Sequence, residues 1–170
     1  VVITRIGASH IRVGNFQYIA ATQKEKNLKI LFDYVINRHY PNIKNSKNQA
    51  LDLLKTIIDV QINLVIDWMR IGFIHGVMNT DNVSICGETI DYGPCAFMDS
   101  YNPKTVFSSI DQLGRYSYDN QPKITKWNLT RFAECLIPLI SKNEDEAIKL
   151  ATDALDKFEK NYETKWLNMM

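Results

Sequence analysis

The sequence predicts an α+β fold that is predominantly α-helical, with one small β-hairpin near its centre. Two observations predict it. Apolar residues recur at spacings of three and four through several long segments. Strand-like stretches are few, and among them VSIC-GE-TIDY at 83–92 carries a hairpin turn signal. With 170 residues the chain is long enough to bury one real core, and a single domain over 1–170 is the expectation.

Taken in order, the chain opens on Val1 to Ile3, a β-like start with no initiator Met, and reads as a piece of a longer protein. KEKNLKILFDYVINRHYP at 24–41 places Leu28, Leu31, Val35 and His39 on one helical face. Pro41 should stop that helix by lacking a backbone donor and restricting Tyr40. KNQALDLLKTIIDVQINLVIDWMR at 47–70 carries two apolar rows, one through Leu51, Leu54, Ile58, Ile62, Val65 and Met69, the other through Leu53, Ile57, Val60, Leu64 and Trp68. The polar stripe left between them is narrow, as in a helix buried on most of its circumference. Residues 99–123 read as a long loop with apolar anchors. TKWNLTRFAECLIP at 125–138 should end at Pro138. Asn143 should cap a last helix over 143–166, with acids in its first turn and Ile148, Ala151, Leu155, Phe158 and Tyr162 as its seam.

Charge excludes some partners. Lys and Arg number 20 against 19 Asp and Glu, a net charge of +1, so no nucleic acid and no anionic membrane surface is expected as a partner. No apolar run approaches a membrane span. The three cysteines, Cys86, Cys95 and Cys135, form no C-x-x-C pair, which suggests neither a disulfide framework nor a zinc site and fits a reducing compartment.

The centre of the chain, GVMNTDNVSICGETIDYGP at 76–94, gathers Asn79, Asp81, Asn82, Glu88 and Asp91 around the hairpin. A two-residue turn with Gly87 first would set Cys86 opposite Thr89, Ile85 opposite Ile90 and Ser84 opposite Asp91. Asn82 would then be the diagonal neighbour of Asp91, roughly 7–8 Å away between backbone positions. An amide oxygen and a carboxylate at that separation suit one hard cation such as Mg²⁺, completed by water and phosphate oxygens. Ordinary solvated residues beside a turn account equally well for the same pattern.

The order of parts adds to this. A mostly buried helix is followed by His75-Gly76, then Asn82, a short hairpin and Asp91-Tyr92-Gly93, which resembles the H-R-D-x-x-x-x-N and D-F-G of protein kinases and points to a kinase-like C-lobe whose hairpin carries the metal site. Val77 stands where a kinase has its catalytic Asp, and valine can neither accept a proton nor orient a hydroxyl. An acid is present instead at Asp81, one residue before Asn82. His75 reads as a hydrogen-bonded scaffold residue, and Gly93 as a source of backbone freedom after Asp91.

The segments TRIGASHIRVGNFQY, HGVMNTDNVSI, TIDYGP, FSSID, GRYSYDNQP and WNLTRFAE together resemble the selenoprotein O family, over nearly the whole chain. That resemblance implies a pseudokinase-fold protein adenylyltransferase, which binds ATP in a flipped orientation and moves AMP onto the hydroxyls of protein substrates. It implies Asp81 as base, Asn82 and Asp91 as ligands of Mg²⁺ or Mn²⁺, and Arg5 and Arg12 as contacts to the nucleotide phosphates, where a guanidinium fork can grip phosphate oxygens bidentately. It further implies a glycine-rich loop, a lysine and its acidic partner before Val1 and a redox-active Cys or selenocysteine motif after Met170, so that residues 1–170 alone should be inactive. Such proteins are cytoplasmic in bacteria and mitochondrial in eukaryotes. Cys95 and Ala96 depart from the aromatic-and-glycine pattern usual after DYGP, and Asp119 stands where glycine is common. Two rivals share the motif order: a small-molecule phosphotransferase, which needs an Asp at the Val77 position, and a non-catalytic nucleotide-binding scaffold.

Overall fold

The computed structural model describes residues 2, 4, 6–22 and 25–169. Its elements in order are helices α1 (Val13–Thr22), α2 (Glu25–His39) and α3 (Gln49–Arg70), strands β1 (Phe73–Ile74) and β2 (Ala96–Phe97), and helices α4 (Gln121–Ile140), α5 (Glu144–Leu155) and α6 (Phe158–Met169). Short 3₁₀ turns lie at Pro41–Ile43, Thr80–Asn82 and Tyr118–Asn120. The fold is therefore the mostly helical α+β arrangement that the sequence predicts, consistent with a kinase-like one.

Helix α3 is the axis of the core. Asn48 caps it by accepting from the Leu51 N–H at 3.0 Å, and both apolar rows are used: Leu53, Leu54, Ile57 and Ile62 are fully buried. Leu28, Phe32, Val35 and Ile36 of α2, Val13 and Phe16 of α1, and Leu129, Phe132 and Leu136 of α4 close around it. Phe16 and Phe132 meet edge to face at 5.0 Å between ring centroids, which locks α1 onto α4. A second cluster, Val65, Trp68, Phe73, Met78 and Ile124, supports the central loop from below.

The small antiparallel sheet pairs Phe73 with Phe97 and Ile74 with Ala96, so it joins β1 to β2 and encloses all of residues 75–95. The expected two-residue hairpin at Gly87 is not formed. Val83 bridges to Thr89 instead, and the turn is closed from Gly87 N–H to the Ser84 carbonyl at 3.3 Å. The physical reason is competition for the backbone of 83–85. Val13 N–H donates to the Val83 carbonyl and Ile85 N–H to the Ile11 carbonyl, both at 3.0 Å, while Gln61 donates to the Ser84 carbonyl at 2.6 Å. Asn82 and Asp91 consequently lie beyond the bridge and are not diagonal partners on hairpin rungs.

Two helix ends also differ from expectation. Helix α4 continues past Pro138 to Ile140, because both Pro138 and Glu134, whose carbonyl loses its partner, are exposed to water, while Ile140 is drawn into the core. The segment 143–166 is two helices. Asn143 caps α5 through Glu146 N–H at 3.1 Å, and the chain breaks at 156–157 so that Leu155 and Phe158 are both buried. Among the described residues no helix is long and apolar enough to cross a membrane. The β-like reading of Val1 to Ile3 lies largely outside the described residues.

Candidate functional site

His75 organises the enclosed loop. It is fully buried, its Nε2–H donates to the Ile90 carbonyl at 2.8 Å, and its Nδ1 accepts from Val77 N–H at 3.3 Å. One neutral imidazole thus ties the start of the loop to the residue before Asp91. Burial lowers its pKa, opposed by the hydrogen bond to Ile90 and the charge of Asp91. The scaffold role expected of His75 is what its contacts describe.

Helix α4 holds this loop from the other side. Gln121, fully buried, accepts from His75 N–H at 3.0 Å and donates to the Phe73 carbonyl at 2.9 Å. Asn128, also fully buried, donates to the carbonyl of Met78 at 2.8 Å. Sequence reading placed neither in the site; the available signal was an amide on the apolar face of a helix, a placement that requires a partner.

Beyond Met78 the chain makes a 3₁₀ turn that sets Asp81 and Asn82. Asn79 caps it through Asp81 N–H at 3.0 Å. The Asp81 side chain is exposed and packs against the first turn of α1 in space left by Gly14, where an added Cβ would stand 2.0 Å from Asp81 Oδ1. A helix N-terminus favours a carboxylate. Gly14 also escaped sequence reading; a glycine inside an apolar helical segment was its only trace.

Asn82 is half-buried and donates its Nδ2 to the Val77 carbonyl at 2.8 Å, which fixes the amide and leaves Oδ1 as a free oxygen donor. Asp91 is exposed, and with φ of 58° it is the one non-glycine residue in the left-handed region among the described residues. The backbone freedom expected at Gly93 is therefore used at Asp91 itself, where an aspartate bears it better than most residues. Glu88 points elsewhere and accepts from Ala8 N–H at 2.9 Å.

Arg12 is half-buried beside this loop, its backbone bridged to Ser84 and its N–H donating to Asn15 Oδ1 at 2.9 Å. Its Nε is buried and has no partner. Arg5 lies outside the described residues. Asp119 needs no glycine backbone, and its carboxylate takes Ser117 Oγ–H at 2.8 Å and pairs with Lys104 at 2.5 Å.

The donor chemistry of these residues suits a divalent metal with a nucleotide. Asn82 Oδ1 and the Asp91 carboxylate are hard oxygen donors, and the orphaned Arg12 Nε asks for an anion. Among the described residues no three His, Cys, Asp or Glu side chains gather to hold a metal unaided, so phosphate and water oxygens would complete its shell.

The chain is similar to known proteins along its whole length. The family model described as "Protein adenylyltransferase SelO" matches residues 1–170. A protein of Pelagibacter ubique named "Protein nucleotidyltransferase YdiU" is 77% identical over 169 residues, covering 99% of this chain and 35% of its own length. Proteins of the same name from Alcanivorax borkumensis, 57% identical over 99% of this chain and 35% of theirs, and from Bacillus mycoides, 55% identical over 97% and 34%, are similar throughout. The chain thus spans about a third of the length of the curated relatives it matches.

Proposed function

Because the chain belongs to the SelO family of protein adenylyltransferases, we propose that the complete protein transfers AMP from ATP to Ser, Thr or Tyr hydroxyls of other proteins and releases pyrophosphate. The observation that carries this reading is the pair at the 3₁₀ turn: an exposed Asp81 carboxylate seated at Gly14, next to Asn82, whose Oδ1 is left over after its Nδ2 is engaged by Val77. Val77 occupies the place of the kinase base and cannot serve as one.

In the proposed reaction Asp81 accepts the proton of the acceptor hydroxyl as its oxygen bonds to the α-phosphorus. The bond from that phosphorus to the bridging oxygen of the β-phosphate breaks, and its electron pair leaves with pyrophosphate. Arg12, with Arg5, would grip phosphate oxygens and orient the triphosphate. Asn82 and Asp91 would hold Mg²⁺ or Mn²⁺, and when bound such an ion supplies Lewis-acid neutralisation of phosphate charge. His75, Gln121 and Asn128 keep the loop in register so that these groups need little reorganisation.

Incubating the complete protein with ATP labelled in the α- or the γ-phosphate tests this. Label retained on denatured protein from the α-position alone is expected. Retention from the γ-position alone would make it a phosphotransferase, and retention of neither despite ATP binding would make it a scaffold.

A further inference from the structure

Outside the site, the most unusual surface feature is one indole ring faced by two guanidinium groups. The Arg115 guanidinium carbon lies 4.6 Å from the Trp127 ring centroid and that of Arg131 lies 5.5 Å from it. Arg115 also faces Tyr116 at 5.8 Å. Cation–π attraction to the ring holds each arginine in place, yet it also holds two like charges in one patch. Their compensation is partial: Asp111 accepts from the backbone N–H groups of Arg115 and Tyr116 at 2.8 and 2.7 Å, which leaves the Arg115 guanidinium itself outside any ion pair among the described residues. Arg131 pairs with Glu134 at 2.5 Å but keeps a buried Nε with no partner.

This patch is tied through α4 and Tyr116 to Met78, which precedes the turn that carries Asp81 and Asn82. Arg131 lies one turn along α4 from Asn128, which holds the Met78 carbonyl, and Tyr116 packs on the cluster that contains Met78. Trp127 is 40% exposed and Arg115 is exposed, so the surface is open to a chain in solution.

We propose that Arg115, Trp127 and Arg131 form a docking surface for an acidic segment of the protein substrate, holding Asp or Glu side chains near the hydroxyl to be modified; this rests on the protein-modifying reading above. Guanidinium forks match carboxylates bidentately, and Arg and Trp are the residues that most often anchor protein contacts. A carboxylate set between the two arginines offsets their repulsion. The nucleotide phosphates are assigned different cations, Arg5 and Arg12, on the segment that precedes α1.

The test uses the complete protein and two fluorescein-labelled peptides, each with one Tyr, flanked by Glu in one and by Lys in the other. Anisotropy titrations without ATP should show the Glu peptide binding at least about tenfold more tightly, with Arg115→Gln and Arg131→Gln each lowering its affinity about tenfold. Glu134→Gln, which frees Arg131, should preserve or strengthen binding. Equal affinity for both peptides, or Glu-peptide affinity unchanged in both arginine variants, overturns the proposal. A parallel loss of ATP affinity in those variants also overturns it, since the arginines would then serve the nucleotide. Should Arg131→Gln fail to fold, Arg115→Gln, which breaks no ion pair, reads the same surface. Charge selectivity lost while α-label transfer persists removes the surface alone. Arginine-dependent Glu-peptide binding without α-label transfer sustains the surface and removes the chemistry.

Discussion

Asp81 and Gly14 share one space: a methyl group on Gly14 would stand 2.0 Å from Asp81 Oδ1 and 3.0 Å from its carboxyl carbon. The two residues come from distant parts of the chain, so the packing of α1 beside the 3₁₀ turn determines where the carboxylate points. Gly14→Ala should therefore displace Asp81 while improving helix propensity slightly. The expected result in the complete protein is a fall in kcat of about tenfold or more with ATP affinity kept, because an ångström of misplacement is costly to a reacting group. Steady-state kinetics beside an ATP titration would check it, and unchanged kcat would show that Asp81 is not the base.

Asp81 and Asp91 should separate when each is replaced. Asp81→Ala is expected to keep Mg²⁺-dependent ATP binding and lower turnover by about 10²–10⁴-fold, the usual contribution of a general base. For Asp91 the informative change is to Asn, since Asn tolerates the left-handed backbone at φ 58° whereas Ala adds strain. Asp91→Asn should lower Mg²⁺-dependent ATP affinity by about an order of magnitude or more with an unchanged melting temperature. Calorimetric titrations with ATP and Mg²⁺ would measure both.

Gln121 supports the site through two buried bonds, to His75 N–H and to the Phe73 carbonyl. Gln121→Ala leaves both groups buried and unpaired, a loss of about 1–3 kcal/mol for each before any rearrangement. Urea unfolding of the complete protein should show a lower midpoint, with reduced ATP affinity following from a loosened loop.

Those supports show where the sequence was legible. Helix α3 could be read because both apolar rows stand out in the sequence and meet the core, and Asn143 announces α5 as its cap. The residues expected to act, Asp81, Asn82 and Asp91, do lie on one loop between β1 and β2. The hairpin register was not legible, because Ile11 to Val13, far away in sequence, compete for the backbone of 83–85. Helix α1 was missed for a related reason: Phe16 is buried against Phe132 of α4, a contact that local spacing does not reveal. Pro138 misled because a proline on an exposed helical face costs less when the freed carbonyl can meet water.

His75 gives the fold an acid limit. Its Nδ1 faces the Val77 N–H, so a second ring proton would break that bond and place a charge in a fully buried position. Its folded pKa is lowered, chiefly by burial, while an unfolded chain takes the proton near the ordinary value of about 6.5. Between the two values the unfolded state binds more protons, so stability falls as pH drops. The contribution of His75 should be fully present above about pH 6.5 and be lost as pH falls toward the folded value. His75→Gln keeps a neutral donor for the Ile90 carbonyl and removes the titration. Melting temperatures of the complete protein between about pH 7 and pH 5 should decline less steeply in this variant than in the parent. Identical slopes would mean that His75 takes up its proton as readily in the folded state as in the unfolded one.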